Sequence, residues 1–261
     1  STGTNTNNLA ANISNAGSTT IDSNGGAYGH DIALSGILSG TGTINYLATS
    51  GSGSTTTTRT LTSGNGSTTF SGNWFVDYTG STSDDFVALQ SNIAASLGTG
   101  TVTLDDRARL INNINSGINS LSGVILQKST SFLDLSNRTW TNTAAALTNN
   151  GGTVTLGSGA NAGSASIGNL TGTGGSIVTA GTAASSLTVN QTTNGSFGGS
   201  IAPVAGSSLS LAKNGAAALT LSNVSPFSGD VSLALNGGTL AIGNATTVFA
   251  SGNVSTVNQA G

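Results

Sequence analysis

Between Lys213 and Asn244 the chain reads KNGAAALTLSNVSPFSGDVSLALNGGTLAIGN, and no apolar run in it is longer than a short strand. Leu219-Thr220-Leu221, Val231 to Leu235 and Thr239 to Ile242 alternate with small polar turns at Asn223, Ser228-Gly229 and Gly237-Gly238. Strands this short and this closely spaced predict an all-β chain that turns constantly. Leu219, Leu221, Val231, Leu233, Leu235, Leu240 and Ile242 keep a period of two and form the expected core of the stretch.

Composition narrows the choice. Charged residues are 6% of the 261, against roughly 25% in ordinary soluble proteins. All nine acidic residues are aspartate, and Gly, Ser, Thr, Asn and Ala fill most of the remainder. Without Glu, and with few Lys and Arg, the chain lacks most of the strong helix formers after Ala and Leu. Disorder calls for low hydrophobicity and high net charge, whereas this chain is 36% hydrophobic with a net charge of −3. A folded chain with a thin, repetitive core is expected. Only two prolines interrupt it, which suits stacked strands that use every backbone N–H. No basic face is present to attract nucleic acid or an anionic membrane. No apolar run approaches the ~20 residues of a membrane helix, and no signal peptide is recognisable, so membrane insertion is not expected. With no Cys, stability cannot rest on disulfides. With no Met, Ser1 is expected to be a processed terminus or the edge of a fragment.

The stretch from Lys213 to Asn244 resembles the autotransporter-associated β-strand repeat, also called the passenger-associated transport repeat. Lys213 and Gly215 match its opening lysine and glycine. Leu219-Thr220-Leu221-Ser222 matches the central strand, and Phe227-Ser228-Gly229 the aromatic-small-Gly turn. Gly238-Thr239-Leu240 and Ile242-Gly243-Asn244 match the closing strand and its turn. Ala217, Asn223 and Asp230 depart from the pattern, and a looser match reaches back to about Leu170. The resemblance implies a parallel β-solenoid on a bacterial surface or secreted protein, with repeats that build extended surfaces instead of active sites.

The expected architecture is therefore one parallel β-helix (β-solenoid), a single elongated body over residues 1–261. Residues 1–8 (STGTNTNN) read as a polar arm, 73–140 as an irregular decorated section, and 170–261 as repeat-like coils. The phrase Leu38-Ser39-Gly40-Thr41-Gly42 recurs from Leu97 and from Leu170. Phe70-Ser71-Gly72 recurs as Phe197-Gly198-Gly199 and Phe227-Ser228-Gly229. Irregular self-similarity of this kind suits coils of roughly 20–30 residues with variable loops. Phe70, Phe197 and Phe227 are expected at similar corners, packed between coils. Gln90 to Leu97 reads as one short helical turn, and Asn112 to Asn119 as hydrogen-bonded amide ladders.

Chemistry-bearing residues are few. Asp84-Asp85 faintly resembles the paired aspartates of polygalacturonases, but glycoside hydrolysis needs two carboxylates about 5–10 Å apart across the bond. The Gly-His-Gly and Arg-Ile-Lys segments of that family are absent. Capping of turn backbone explains the pair more simply. Asp105 and Asp106 could supply half of a Ca²⁺ site, yet Arg107 and Arg109 follow directly and GGxGxD nonapeptides are absent. His30 stands alone, without Cys or a second His for zinc, and no nucleophile elbow accompanies it. No cofactor, metal or catalytic residue is assigned.

Three functions remain. The first is a structural protein of the bacterial exterior that associates with itself, head to tail, into a fibre or coat. Its contacts would be Leu9, Ile13 and Ile21 at one end and Leu240, Ile242, Val248, Val254 and Val257 at the other, because uncapped coils invite strand addition. Alternatively, the chain is cut from a longer solenoid. The second is an adhesin that stacks a glycan or another cell-surface partner on Trp74, Tyr78 and Trp140. The third is a polysaccharide-cleaving enzyme.

Overall fold

A computed structural model describes residues 5–23, 30–48, 58–66, 68–80, 85–115, 117–136, 138–223 and 230–242. Every regular element among them is a β-strand, and the strands pair in parallel. The chain divides into two compact units, Ser1–Phe132 and Leu133–Gly261. Each is a parallel β-solenoid.

In the first unit the opening coil is β1 (Asn5–Leu9), β2 (Ile13–Ser14) and β3 (Ser18–Asp22). It is followed by β4 (His30–Leu34), β5 (Leu38–Gly40) and β6 (Thr43–Ala48), then by β7 (Thr58–Ser63), β8 (Thr69–Phe70) and β9 (Asn73–Tyr78). Two leaner coils complete it: β10 (Phe86–Ser91) with β11 (Thr101–Leu104), and β12 (Ala108–Asn112) with β13 (Gly123–Leu126). One sheet runs β1-β4-β7-β10-β12, a second β3-β6-β9-β11-β13, and a short third β2-β5-β8. Register partners such as Val87↔Ala108 and Thr43↔Asn73 set coils of 21 to 30 residues.

Strand β14 (Phe132–Leu135) spans the division, and the second unit continues with β15 (Thr139–Asn149). Next come β16 (Thr153–Gly159), β17 (Ser164–Thr171), β18 (Ser176–Gly181), β19 (Ser185–Asn190) and β20 (Gly195–Phe197). The last described strands are β21 (Ser200–Ala202), β22 (Ser208–Asn214), β23 (Ala218–Leu221), β24 (Asp230–Leu235) and β25 (Thr239–Ile242). Here the sheets run β16-β18-β21, β15-β17-β19-β22-β24 and β20-β23-β25. Ala218↔Thr239 and Thr139↔Ser164 bracket the coil length at 21 to 25 residues.

Period-two sequence drives both interiors. Strands β6 and β7 alternate half-buried and buried residues along their whole length. Parallel register then stacks like on like, as in the columns Tyr46–Val76–Leu104–Leu126 and Ala165–Leu187–Leu211–Leu233. Burial of each such aliphatic side chain contributes about 1.5–3 kcal/mol, set against the chain entropy lost on ordering. Leu219, Leu221, Val231 and Leu233 are buried as expected, while Leu235, Leu240 and Ile242 are only half-buried.

Phe70 and Phe197 take equivalent places. Each is buried in a short third-sheet strand and lies over a glycine of the coil below, Gly40 and Gly172 respectively. The glycine two residues on makes room for the ring, because a Cβ on Gly72 or Gly199 would run into Phe70 or Phe197. Phe227 lies outside the described residues. Two local expectations are corrected. Asn5 to Asn8, expected as part of a polar arm, form β1 against β4, since backbone pairing needs no apolar side chain. No helical turn forms over 90–97: Gln90 and Ser91 close β10, and two tight turns follow, with Ser96 N–H donating to Ile93 O and Gly98 N–H to Ala95 O.

Candidate functional site

Among the described residues β1, β2 and β3 each pair on one side only. Ile13 and Asn15 donate to Ile37 O and Ser39 O, Ser23 donates to Leu47 O, and Leu9 O and Gly17 O accept from Ser35 and Thr43. Odd-numbered residues thus turn their backbone groups toward the second coil. Successive residues alternate, so Asn8, Ser14, Ser18, Thr20 and Asp22 turn theirs to the open side. Leu9 is 41% exposed, and Ile13 and Ile21 are half-buried, although their register partners Leu34, Leu38 and Tyr46 are buried.

In the second unit β24 and β25 are likewise paired on one side among the described residues. Asn236 N–H donates to Lys213 O, so the inward residues Val231, Leu233 and Leu235 turn their backbone groups outward along the open edge. Inside the first unit the same two kinds mate, as where the outward Asp105 donates to the inward Val76 O. Val248, Val254 and Val257 lie outside the described residues.

The three aromatic residues expected as a surface contact are instead core. Trp74 and Trp140 are 0% exposed and Tyr78 1%. In NWFVDY the inward parity falls on Trp74, Val76 and Tyr78, and it is Phe75 and Asp77 that face outward. The Trp74 indole N–H donates to Leu97 O at 2.9 Å. Trp140 stacks over Ala165, and its indole nitrogen is buried without an acceptor among the described residues.

Tyr78 belongs to a buried polar corner of the first unit, where chain passes from the second sheet to the first. The connections there are long in three coils (23–29, 49–57 and 79–85) and then shorten to 105–107 and 127–131. At this corner Tyr78 donates its hydroxyl to Asp85 Oδ2 at 3.1 Å, and Arg59 Nη1 stands 4.0 Å from the same oxygen. Burial pushes the nearby Tyr46 hydroxyl well above the usual tyrosine value, which the Ser23 hydroxyl offsets only in part. Asp85 is 2% exposed, accepts the Tyr78 hydroxyl and is ion-paired with Arg59. It ties a corner together and presents no carboxylate to solvent; Asp84 lies outside the described residues. Sequence reasoning missed Arg59 because its partner sits one coil away.

Asp105 and Asp106 are accounted for by neighbouring cations and hydroxyls. Lys128 Nζ is 3.9 Å from Asp105 Oδ1, Arg107 Nη2 is 3.2 Å from Asp106 Oδ2, and Thr130 donates to Asp106 Oδ1 at 2.6 Å. Arg107 also lies over the Tyr78 ring and donates to Gly80 O. Burial works against ionisation of Asp106, but the Thr130 hydroxyl and Arg107 outweigh it and hold the carboxyl below its usual value. Among the described residues no three His or Asp side chains gather into a metal-ligating group. The ring of His30 is outside what is described.

Turn backbone is satisfied from within by buried polar side chains. Lys213, fully buried, donates through Nζ to Asn214 O, Gly215 O and Gly237 O at 2.7, 2.8 and 3.0 Å, which ties two successive coils. Asn149 and Gln191 serve other corners in the same manner. Gly215 has φ +79°, and a Cβ there would strike Gln191 O. An amide ladder crosses three coils, Asn236 Nδ2 to Asn214 Oδ1 and Asn214 Nδ2 to Asn190 Oδ1. In the 112–119 region Asn113 Nδ2 donates to Asn92 Oδ1, a rung between two coils.

No family model matches the chain, and neither the curated proteins nor the solved structures gave a match.

Proposed function

We propose that this protein is a non-enzymatic structural component of the bacterial exterior, whose solenoid associates head to tail into a fibre or coat. The observation that carries the reading is the opening coil. Its three strands have an open side among the described residues, and the strands themselves carry little to guard it: NTNNL, IS and STTID contain neither Lys nor Pro, and Asp22 is their single charge. Native edges are usually blunted by such residues.

The polarity of the edges favours head-to-tail over head-to-head contact. The open side of β3 carries backbone groups of outward residues and that of β24 those of inward residues, the pairing already used between coils. A heterologous contact of this kind propagates into an open filament when its rotation does not close. Location outside the cell rests on the repeat resemblance. Two features give that resemblance physical sense: the opening lysine ties turn carbonyls of two coils, and Gly215 occupies a backbone conformation that favours glycine.

The test is assembly of the native protein against Thr20→Pro, followed by light scattering and negative-stain microscopy. Thr20 is exposed and its N–H faces the open side, so proline removes an edge donor without disturbing the pairing with β6. Filaments that lengthen with concentration, and are lost in the variant at unchanged circular dichroism, are expected. Native protein that stays monomeric across micromolar concentrations would refute the proposal.

A further inference from the structure

On the outer face of the second sheet in the first unit, Asp77 and Asp105 are register neighbours, because Val76 pairs with Leu104 immediately before them. Adjacent strands lie about 4.8 Å apart, and like charges directly opposite are destabilising. Asp77 Oδ1 accepts the Asp106 N–H at 3.2 Å, which fixes one oxygen and leaves the other for its neighbours.

The charged groups around Asp77 can be named element by element. From the turn after β11 come Asp105, Asp106 and Arg107, the last engaged with Asp106. From the turn after β13 comes Lys128, which is exposed and 3.9 Å from Asp105. From the strand on the other side, β6, comes the uncharged Leu47. Beneath Tyr78 the Arg59–Asp85 pair is internally balanced. The surroundings of Asp77 are thus two carboxylates close by, with the two cations committed to those carboxylates.

We propose that this step is an acid-tightened clamp: on taking a proton from solvent, Asp77 donates its new O–H to the Asp105 carboxylate and bonds β9 to β11 across the outer face. Burial first, then Asp105, raises the Asp77 carboxyl above its ordinary value of 3.8, with the Asp106 N–H opposing. A group raised on folding adds stability as pH falls through its folded value, fully present below the unfolded one. Asp106, held below 3.8, keeps its own contacts until more acidic pH. The clamp therefore closes before the neighbouring contacts are lost.

Carbon-detected NMR titration of the aspartate carboxyls, with amide exchange of Asp105 and Asp106 corrected for intrinsic rates, tests it on the full chain. In the native protein the Asp77 midpoint is expected above 3.8, and protection of the Asp105 amide should rise about threefold or more between neutral and mildly acidic pH. In Asp77→Asn that rise should vanish, and in Asp105→Asn the Asp77 midpoint should move back toward its ordinary value. An Asp77 midpoint at or below the ordinary value, or an undiminished rise in Asp77→Asn, overturns the proposal. Should Asp77→Asn fail to fold, the native midpoint and its response to Asp105→Asn still decide.

Discussion

Replacing Lys213 with methionine separates two opposing effects of a buried charge. The side chain is fully buried, and its ammonium donates to Asn214 O, Gly215 O and Gly237 O. Methionine keeps most of the stem volume and removes all three donors. Leaving three turn carbonyls without a donor at about 1 kcal/mol each costs about 3 kcal/mol. Against that, burial draws the Lys213 ammonium below its ordinary lysine value, so methionine also relieves a desolvation cost that offsets part of the loss. A net loss of about 1–3 kcal/mol follows, or roughly 4–12 °C in Tm for a unit of this size. Urea denaturation followed by far-UV circular dichroism, with Lys128→Met as the exposed comparison, measures it. Lys128→Met should change stability by no more than about 0.5 kcal/mol. A Lys213→Met protein as stable as the native one, or more stable, would refute the reasoning, because desolvation would then outweigh the three hydrogen bonds.

Other substitutions probe the remaining devices. Asn214→Ala removes the middle rung of the Asn190–Asn214–Asn236 ladder and should cost about 1–1.5 kcal/mol in chemical denaturation; no loss would make the ladder ornamental. Gly72→Ala puts a Cβ against Gly42 O and the Phe70 ring and should cost at least about 2 kcal/mol by the same assay. Trp74→Phe forfeits a hydrogen bond to Leu97 O that Trp140 does not have, so it should cost about 1 kcal/mol more than Trp140→Phe; equal costs would count against the assignment. Thr130→Val should lower stability at neutral pH, and its difference from the native protein should disappear as pH falls through the depressed Asp106 value. A difference that grew in acid would have the wrong sign.

The period-two pattern of Leu219 to Leu233 was readable as core because strand parity is a local property of sequence. The aromatic-small-Gly turns were readable for a related reason, since the ring and the glycine that accommodates it are two residues apart. Parity also applies to Asn73 to Tyr78, and it would have placed Trp74 and Tyr78 inside had the register of β9 been followed. What sequence could not supply is the pairing between coils. Coil lengths run from 21 to 30 residues in the first unit, so the partner one coil away from Arg59, Asn190 or Asp77 cannot be counted off without knowing each loop. For that reason the three-coil Asn190–Asn214–Asn236 ladder was not expected. The Arg59–Asp85–Tyr78 corner was missed for the same reason, while half-buried Leu240 and Ile242 follow from β25 being paired on one side only among the described residues.

Electron cryomicroscopy of the native protein at micromolar concentration tests the proposed assembly most directly. The account predicts polar filaments in which every copy points the same way, with strands running across the axis at the roughly 4.8 Å coil spacing through each junction. Isolated particles at every concentration, or two-fold particles joined through like ends, would contradict it.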